Sequence, residues 1–117
     1  MILYFRGDNA ELASRLKHRI RLEETVETPD GLGGTTRAWK LVAELWAEVT
    51  AISGREQLFA MRLQNSVSHR VVMRYREGVT PGMRVNFGER VFNIRAIVNH
   101  RESNEMLELL VEEGVAT

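Results

Sequence analysis

Val67-Ser68-His69-Arg70-Val71-Val72-Met73-Arg74-Tyr75-Arg76 decides the fold class. Val67, His69, Val71, Met73 and Tyr75 fall on one side of an extended chain, and Ser68, Arg70, Val72, Arg74 and Arg76 on the other. A period of two with one apolar side is a β-strand that turns one face to a core. The same period recurs outward in both directions. Leu16, His18, Ile20 and Leu22 oppose Lys17, Arg19, Arg21 and Glu23. Within Trp39 to Ile52, Leu45, Ala47, Val49 and Ala51 oppose Glu44, Trp46, Glu48 and Thr50. Downstream, Met83, Val85 and Phe87 alternate with Arg84 and Asn86. Phe92, Ile94, Ala96 and Val98 form a return strand, and Leu107, Leu109 and Val111 a last one opposite Glu108 and Glu112.

Punctuation separates these runs. Thr28-Pro29-Asp30-Gly31-Leu32-Gly33-Gly34 is a turn or loop, expected to be mobile unless a partner orders it. Ser53-Gly54-Arg55-Glu56 spells a capping box with Ser53 as N-cap and Glu56 at N3. It opens a helix through about Gln64, with Phe59/Leu63 and Leu58/Met61 spaced to touch along it. Thr80-Pro81-Gly82 suits a type II turn and Gly88-Glu89 a two-residue hairpin. Asn99 to Asn104 is a polar loop. Asp8 with Glu11 three residues on suggests a short helix over Asn9 to Arg15, after an irregular lead-in at 1–7 that carries no functional weight. The expectation is a mainly β fold: a small antiparallel β-barrel or sandwich of about six strands, one internal α-helix and a short N-terminal helix. Residues 1–15 read as lead-in, 16–113 as one domain and 114–117 as a tail, with no repeat or linker dividing them.

The 117 residues carry 16 Lys+Arg against 16 Asp+Glu and no Cys. Zero net charge removes any global pull toward nucleic acid or an anionic membrane. Without Cys there is no disulfide framework, thiolate nucleophile or ordinary structural zinc site. No apolar run is long enough to span a membrane, and Met1-Ile2-Leu3-Tyr4-Phe5 is too short for a signal core, so the chain reads as a soluble, intracellularly made domain. His18, His69 and His100 have no metal-ligand spacing, and the first two sit on apolar strand faces as satisfied structural histidines. No Ser lies in a nucleophile elbow, and the paired carboxylates fall on faces expected to be solvated. No catalytic residue, metal ligand or cofactor is expected.

What remains is surface. Arg70, Arg74 and Arg76 line one side of a strand and suit a partner interface, nucleic acid or plain solubility. Trp46 stands on a polar face and needs cover, either from its own subunit or from a neighbour.

The order of these features resembles the phage head–tail joining family, the head-completion, head-closure or stopper proteins of long-tailed phages and phage-like gene transfer agents. Leu16-Lys17-His18-Arg19-Ile20 is similar to that family's first strand. Asp30-Gly31 with Gly33-Gly34 and then Trp39 resembles its Gly-rich loop. Leu45-Trp46-Ala47-Glu48-Val49 resembles its Trp-Ala strand, and Gly54-Arg55-Glu56 its helix start. Met73-Arg74-Tyr75-Arg76 resembles its Ile-Arg-Tyr-Arg strand with Met73 in place of Ile, and Arg84-Val85, Gly88, Arg90 to Ile94 and Leu107-Glu108-Leu109 resemble its closing hairpin and strand.

The resemblance implies a structural, non-enzymatic virion protein, made in the bacterial host cytoplasm and placed at the head–tail junction. It implies a cyclic ring of identical subunits below the portal or a portal-bound adaptor ring. Such a ring extends the DNA channel, helps retain packaged DNA and docks a tail-terminator or tail-completion protein, with double-stranded DNA passing without sequence specificity. In that picture Arg55, Arg62 and Gln64 face the channel or a neighbour. Trp46, Arg70, Arg74, Arg76, Asp30, Gly31, Gly33 and Gly34 are interface candidates, and Ser53 and Glu56 are the structural cap. The alternative is a stand-alone β-barrel that binds nucleic acid.

Overall fold

A computed structural model describes residues 14–62 and 66–114. The elements run β1 (His18–Pro29), β2 (Thr35–Ala51), α1 (Gly54–Arg62), β3 (His69–Arg74), β4 (Arg84–Phe87), β5 (Arg90–Asn99), a 3-10 turn (His100–Glu102) and β6 (Met106–Glu113). The strands close into an antiparallel barrel in the order β1-β2-β3-β6-β5-β4, with β4 pairing back onto β1. Of the two expected alternatives, barrel and sandwich, the structure is the barrel, and its closure leaves no barrel strand with an open edge. Ser14 and Arg15 are helical; the rest of the expected N-terminal helix, and Leu63 to Asn65 at the end of α1, lie outside the described residues.

The interior is built from the apolar sides read in the sequence. Ile20, Leu22, Ala47, Val71, Met73, Val85, Phe92, Ile94, Leu109 and Val111 are all at most 2% exposed. The closing connections are tight. Gly88 takes φ +63° between Phe87 and Arg90, the left-handed first position that a two-residue II′ hairpin demands. Met83 N–H donates to Thr80 O at 3.1 Å, but Gly82 does not take the positive φ of a type II turn. That turn is therefore of type I, which Pro81 at its second position serves equally well.

Two bulges redirect faces that strict alternation assigns otherwise. In β5 the register shifts between Ile94 and Ala96, so Arg95 is the extra residue. The inward side then passes to Ile97, which packs on the core, and Val98 is turned out at 40% exposure. In the β1–β2 pair the register shifts after Leu22, leaving Val42 as the extra residue of β2. Leu16 also departs from the expected face. The chain is not yet extended there, with Lys17 N–H bonded to Arg15 O, and Leu16 packs with Val72 and Met106 in a second, smaller cluster.

Beyond the second bulge β1 and β2 leave the barrel together. Their ladder continues from Glu23↔Leu41 to Pro29↔Thr35, while β4 pairs with β1 only at Arg21 to Glu23. Every residue from Glu24 to Ala38 is exposed. The expected loop is thus only the tip of a projecting two-stranded ribbon, and the molecule is elongated, 53 × 32 × 27 Å. At the ribbon's root the Arg84 guanidinium lies 4.1 Å from the centroid of the Trp39 ring and pairs with Glu23 at 2.7 Å. This cation–π and ionic brace ties the ribbon to β4.

Candidate interaction surfaces

Ion pairing accounts for much of the charge balance. Arg15–Glu48, Arg70–Glu108, Arg70–Glu56, Arg84–Glu23, Arg90–Glu113 and Arg95–Glu112 all lie between 2.5 and 2.8 Å. Glu23, Glu48, Glu108 and Glu112 therefore do not form the freely solvated faces expected of them; arginines from neighbouring strands cross over to cover them. His18 Nδ1 accepts from Val49 N–H at 3.0 Å. His69 Nε2 faces Arg90 Nη2 at 3.2 Å, and a guanidinium only donates, so Nδ1 carries the proton toward Ser68 Oγ at 2.8 Å. Partial burial, then the Arg90 charge, hold the His69 pKa below the ordinary imidazole value against the opposing pull of Glu113.

The first exposed surface is built by α1. Glu56 N–H donates to Ser53 Oγ and Ser53 N–H donates to Glu56 Oε1, each at 3.1 Å, so the capping box is closed reciprocally. Those bonds, the Ser53 amide first and then Arg70, hold the Glu56 pKa below the usual carboxylate value. Arg70 reaches from β3 to Glu56 on α1 and Glu108 on β6, pinning the helix start to the barrel wall. No residue of α1 is buried, and Leu58, Phe59 and Met61 are 62–64% exposed. Between the helix and the outside of β3, β5 and β6 runs a groove of about 490 Å³, floored by Ile52, Val67, Ala96 and Leu110 and walled by Phe59 and Ala60. Three large apolar side chains thus stand in the open beside this groove, an exposed apolar patch of the kind that marks candidate interaction sites. Arg55 lines the same groove, and Arg62 closes the described helix. Gln64 lies outside the described residues.

The second surface gathers residues distant in sequence. Trp46, 53% exposed, has the Arg19 guanidinium 5.2 Å from its ring centroid. Arg19, Trp46, Arg74, Tyr75 and Arg76 line a common hollow of about 370 Å³ with Glu44. Arg74 and Arg76 make no ion pair among the described residues, whereas Arg70 belongs to the α1 anchor. The sequence places the three arginines on one strand face, but β3 ends at Arg74 and Arg76 lies beyond it, and the pattern does not point to Arg19 or Tyr75. The cross-strand partnership Arg19↔Trp46 is fixed by the β1–β2 register, which no single-strand pattern reveals.

The third surface is the ribbon tip. Asp30 Oδ1 accepts from Leu32 N–H at 2.7 Å and Gly34 N–H at 3.1 Å, and Asp30 N–H donates to Gly34 O. These bonds hold the Asp30 pKa below its ordinary value. Gly31 and Gly33 take φ of +81° and +88°, so they supply the left-handed turns on either side of Leu32. Leu32 stands at the apex, 90% exposed.

Among the described residues no group of His, Asp and Glu could hold a metal ion, and no helix is long and apolar enough to cross a membrane. The profile of the phage head completion protein family matches residues 12–114. The chain belongs to this family. Head completion proteins are structural proteins of the virion, not an enzyme class. No curated protein matches the chain. Among solved structures, protein SF1141 from Shigella flexneri 2a is similar with a TM-score of 0.73 and 25% identity, over 88% of this chain and 96% of that one. A chain of the virion of a native gene transfer agent particle is similar with a TM-score of 0.60 and 28% identity, over 87% of this chain and 98% of that one. The chain is thus a closed six-stranded barrel with three exposed surfaces, in a family whose place in the virion implies interaction with other virion proteins.

Proposed function

We propose that the chain is one wedge of a cyclic ring at the head–tail junction, seated below the portal or a portal-bound adaptor ring. There it extends the DNA channel, helps retain packaged DNA and docks a tail-terminator or tail-completion protein. The observation that carries the reading is α1: a helix with Leu58, Phe59 and Met61 in the open, on a barrel whose own core is already complete. A barrel with a finished core gains nothing for itself from such a helix, whereas a subunit with a neighbour does. Family membership and the gene transfer agent virion neighbour support the same placement.

In this reading Arg55, Arg62 and Gln64 face the channel or a neighbour. Trp46, Arg74, Arg76 and the loop Asp30 to Gly34 meet other subunits or partners, and Arg70 contributes by setting the pose of α1. Equal numbers of acids and bases, 16 of each, suit a conduit through which DNA must slide. Mixing the purified chain with portal–adaptor rings and viewing them by electron microscopy tests the proposal. An added ring layer supports it, and unchanged rings at saturating concentration refute it. Tight, steeply salt-dependent binding of DNA by the isolated chain would instead favour a nucleic-acid-binding barrel.

A further inference from the structure

We infer that the groove beside α1 receives the ribbon tip of a second copy of this chain, with Leu32 as the inserted side chain. The inference rests on the ring reading above and specifies its contact. The two parts are complementary in chemistry and charge. The groove is lined mainly by apolar side chains; Glu56, Arg70, Arg95 and Glu108 also line it and are held in ion pairs, whereas Arg55 lines it and makes no ion pair among the described residues. The tip presents one apolar side chain, 90% exposed, next to Asp30. Asp30 stays ionised because the loop amides bind its Oδ1, while Oδ2 remains to accept from a guanidinium.

The tip is also prepared for insertion. A loop with three glycines is costly to order on binding, but this one is already ordered by two side-chain bonds and one backbone bond. The ribbon has the necessary reach: the six residues from Glu24 to Pro29 span about 20 Å at strand rise. Its continuous ladder from Glu23↔Leu41 to Pro29↔Thr35 carries the tip outward from its own barrel toward a neighbour. A contact between two different surfaces of the same chain is head-to-tail, the kind that repeats around a ring and closes it.

The absence of Cys makes the test direct. The double variant Leu32→Cys/Ala60→Cys is oxidised both at high concentration alone and on portal–adaptor rings, then run on a denaturing gel. The expected result is a ladder of covalent multimers rising to the ring, with neither single variant exceeding a dimer. Rings seen by electron microscopy without a ladder overturn the insertion and leave the ring reading intact. A ladder from the free chain, with no layer on the portal rings, sustains the insertion while the portal placement falls. Neither ring nor ladder overturns both, and a cross-link from Ala60→Cys to a tail protein instead of a second copy overturns the insertion. Leu32→Ser, at an exposed apex where the fold is indifferent, should raise the concentration for half-assembly about tenfold or more. An unchanged concentration refutes the role of Leu32.

Discussion

Arg70 is where the barrel wall, the helix and the last strand are held by one side chain, and its removal is the sharpest test of how α1 is held. Its Nε lies 2.5 Å from Glu108 and its Nη2 2.7 Å from Glu56; the side chains of Arg70, Glu108 and Glu56 are 17%, 11% and 48% exposed. Breaking a fully buried pair by deleting one partner costs about 3–5 kcal/mol, because a charge is left in a poor dielectric. A surface pair contributes about 1 kcal/mol or less. The Glu108 contact lies near the buried limit and the Glu56 contact near the exposed one. Arg70→Met keeps the aliphatic stem against the wall and removes only the guanidinium. The expected loss is about 2–3 kcal/mol, nearly all from Glu108. For a domain of this size that lowers Tm by about 10–20 °C. Urea and thermal denaturation followed by circular dichroism read both quantities. Arg70→Met/Glu108→Leu removes both charges and should recover to within about 1 kcal/mol of the parent. Glu56→Gln alone should cost at most about 0.5 kcal/mol. If Arg70→Met costs less than that, or if the double variant is worse than the single, the Arg70–Glu108 pair does not anchor this wall.

Three further outcomes are expected. His69 has a folded pKa below its unfolded value, so the unfolded chain binds more protons near pH 6; stability should fall as pH drops below about 6.5 and level off once His69 is protonated in both states. His69→Gln should flatten that segment of a stability–pH profile, and an unchanged slope would discount His69 as its source. Arg84→Ala removes the brace on Trp39 and Glu23, so limited proteolysis should cut the ribbon between Glu24 and Lys40 faster while the barrel core stays resistant; equal cleavage rates would contradict the brace. Gly88→Val puts a β-branched residue at φ +63° in a two-residue hairpin and should cost about 2 kcal/mol or more in chemical denaturation, whereas Gly54→Ala, in open space at the start of α1, should cost nothing measurable.

The barrel was legible because each of its strands buries one face. Val71 and Met73, or Leu107, Leu109 and Val111, alternate for the plain reason that the core has one side. Legibility ended where that reason ended. Thr25 to Pro29 and Thr35 to Ala38 form a ladder with no buried face, so no apolar alternation marks them as strand, although several are β-branched. The bulge at Arg95 made Val98 look like core, because one extra residue inverts every later assignment. Glu23 and Glu108 looked solvated, since a carboxylate's partner on another strand is invisible until the register is known. Trp46 was noticed as an indole in need of cover, and its neighbours Arg19 and Tyr75 were hidden for the same reason. The capping box at Ser53 and the glycines around Leu32 were readable because both are local chemistry.

The unequal seams on either side of the ribbon have a mechanical consequence. A pull on the tip enters the barrel through β1 and β2, which are held laterally by three register pairs to β4 and five to β3 respectively. Ladder hydrogen bonds lie across the strands, so tension along the ribbon strains each seam in shear, with all its bonds loaded together instead of one after another. The β2 side is the stiffer, because β3 is itself backed by β6 over six further pairs. Under load the barrel would yield first at the β1–β4 seam, where the Arg84 brace sits, and the ribbon would remain fastened through β2.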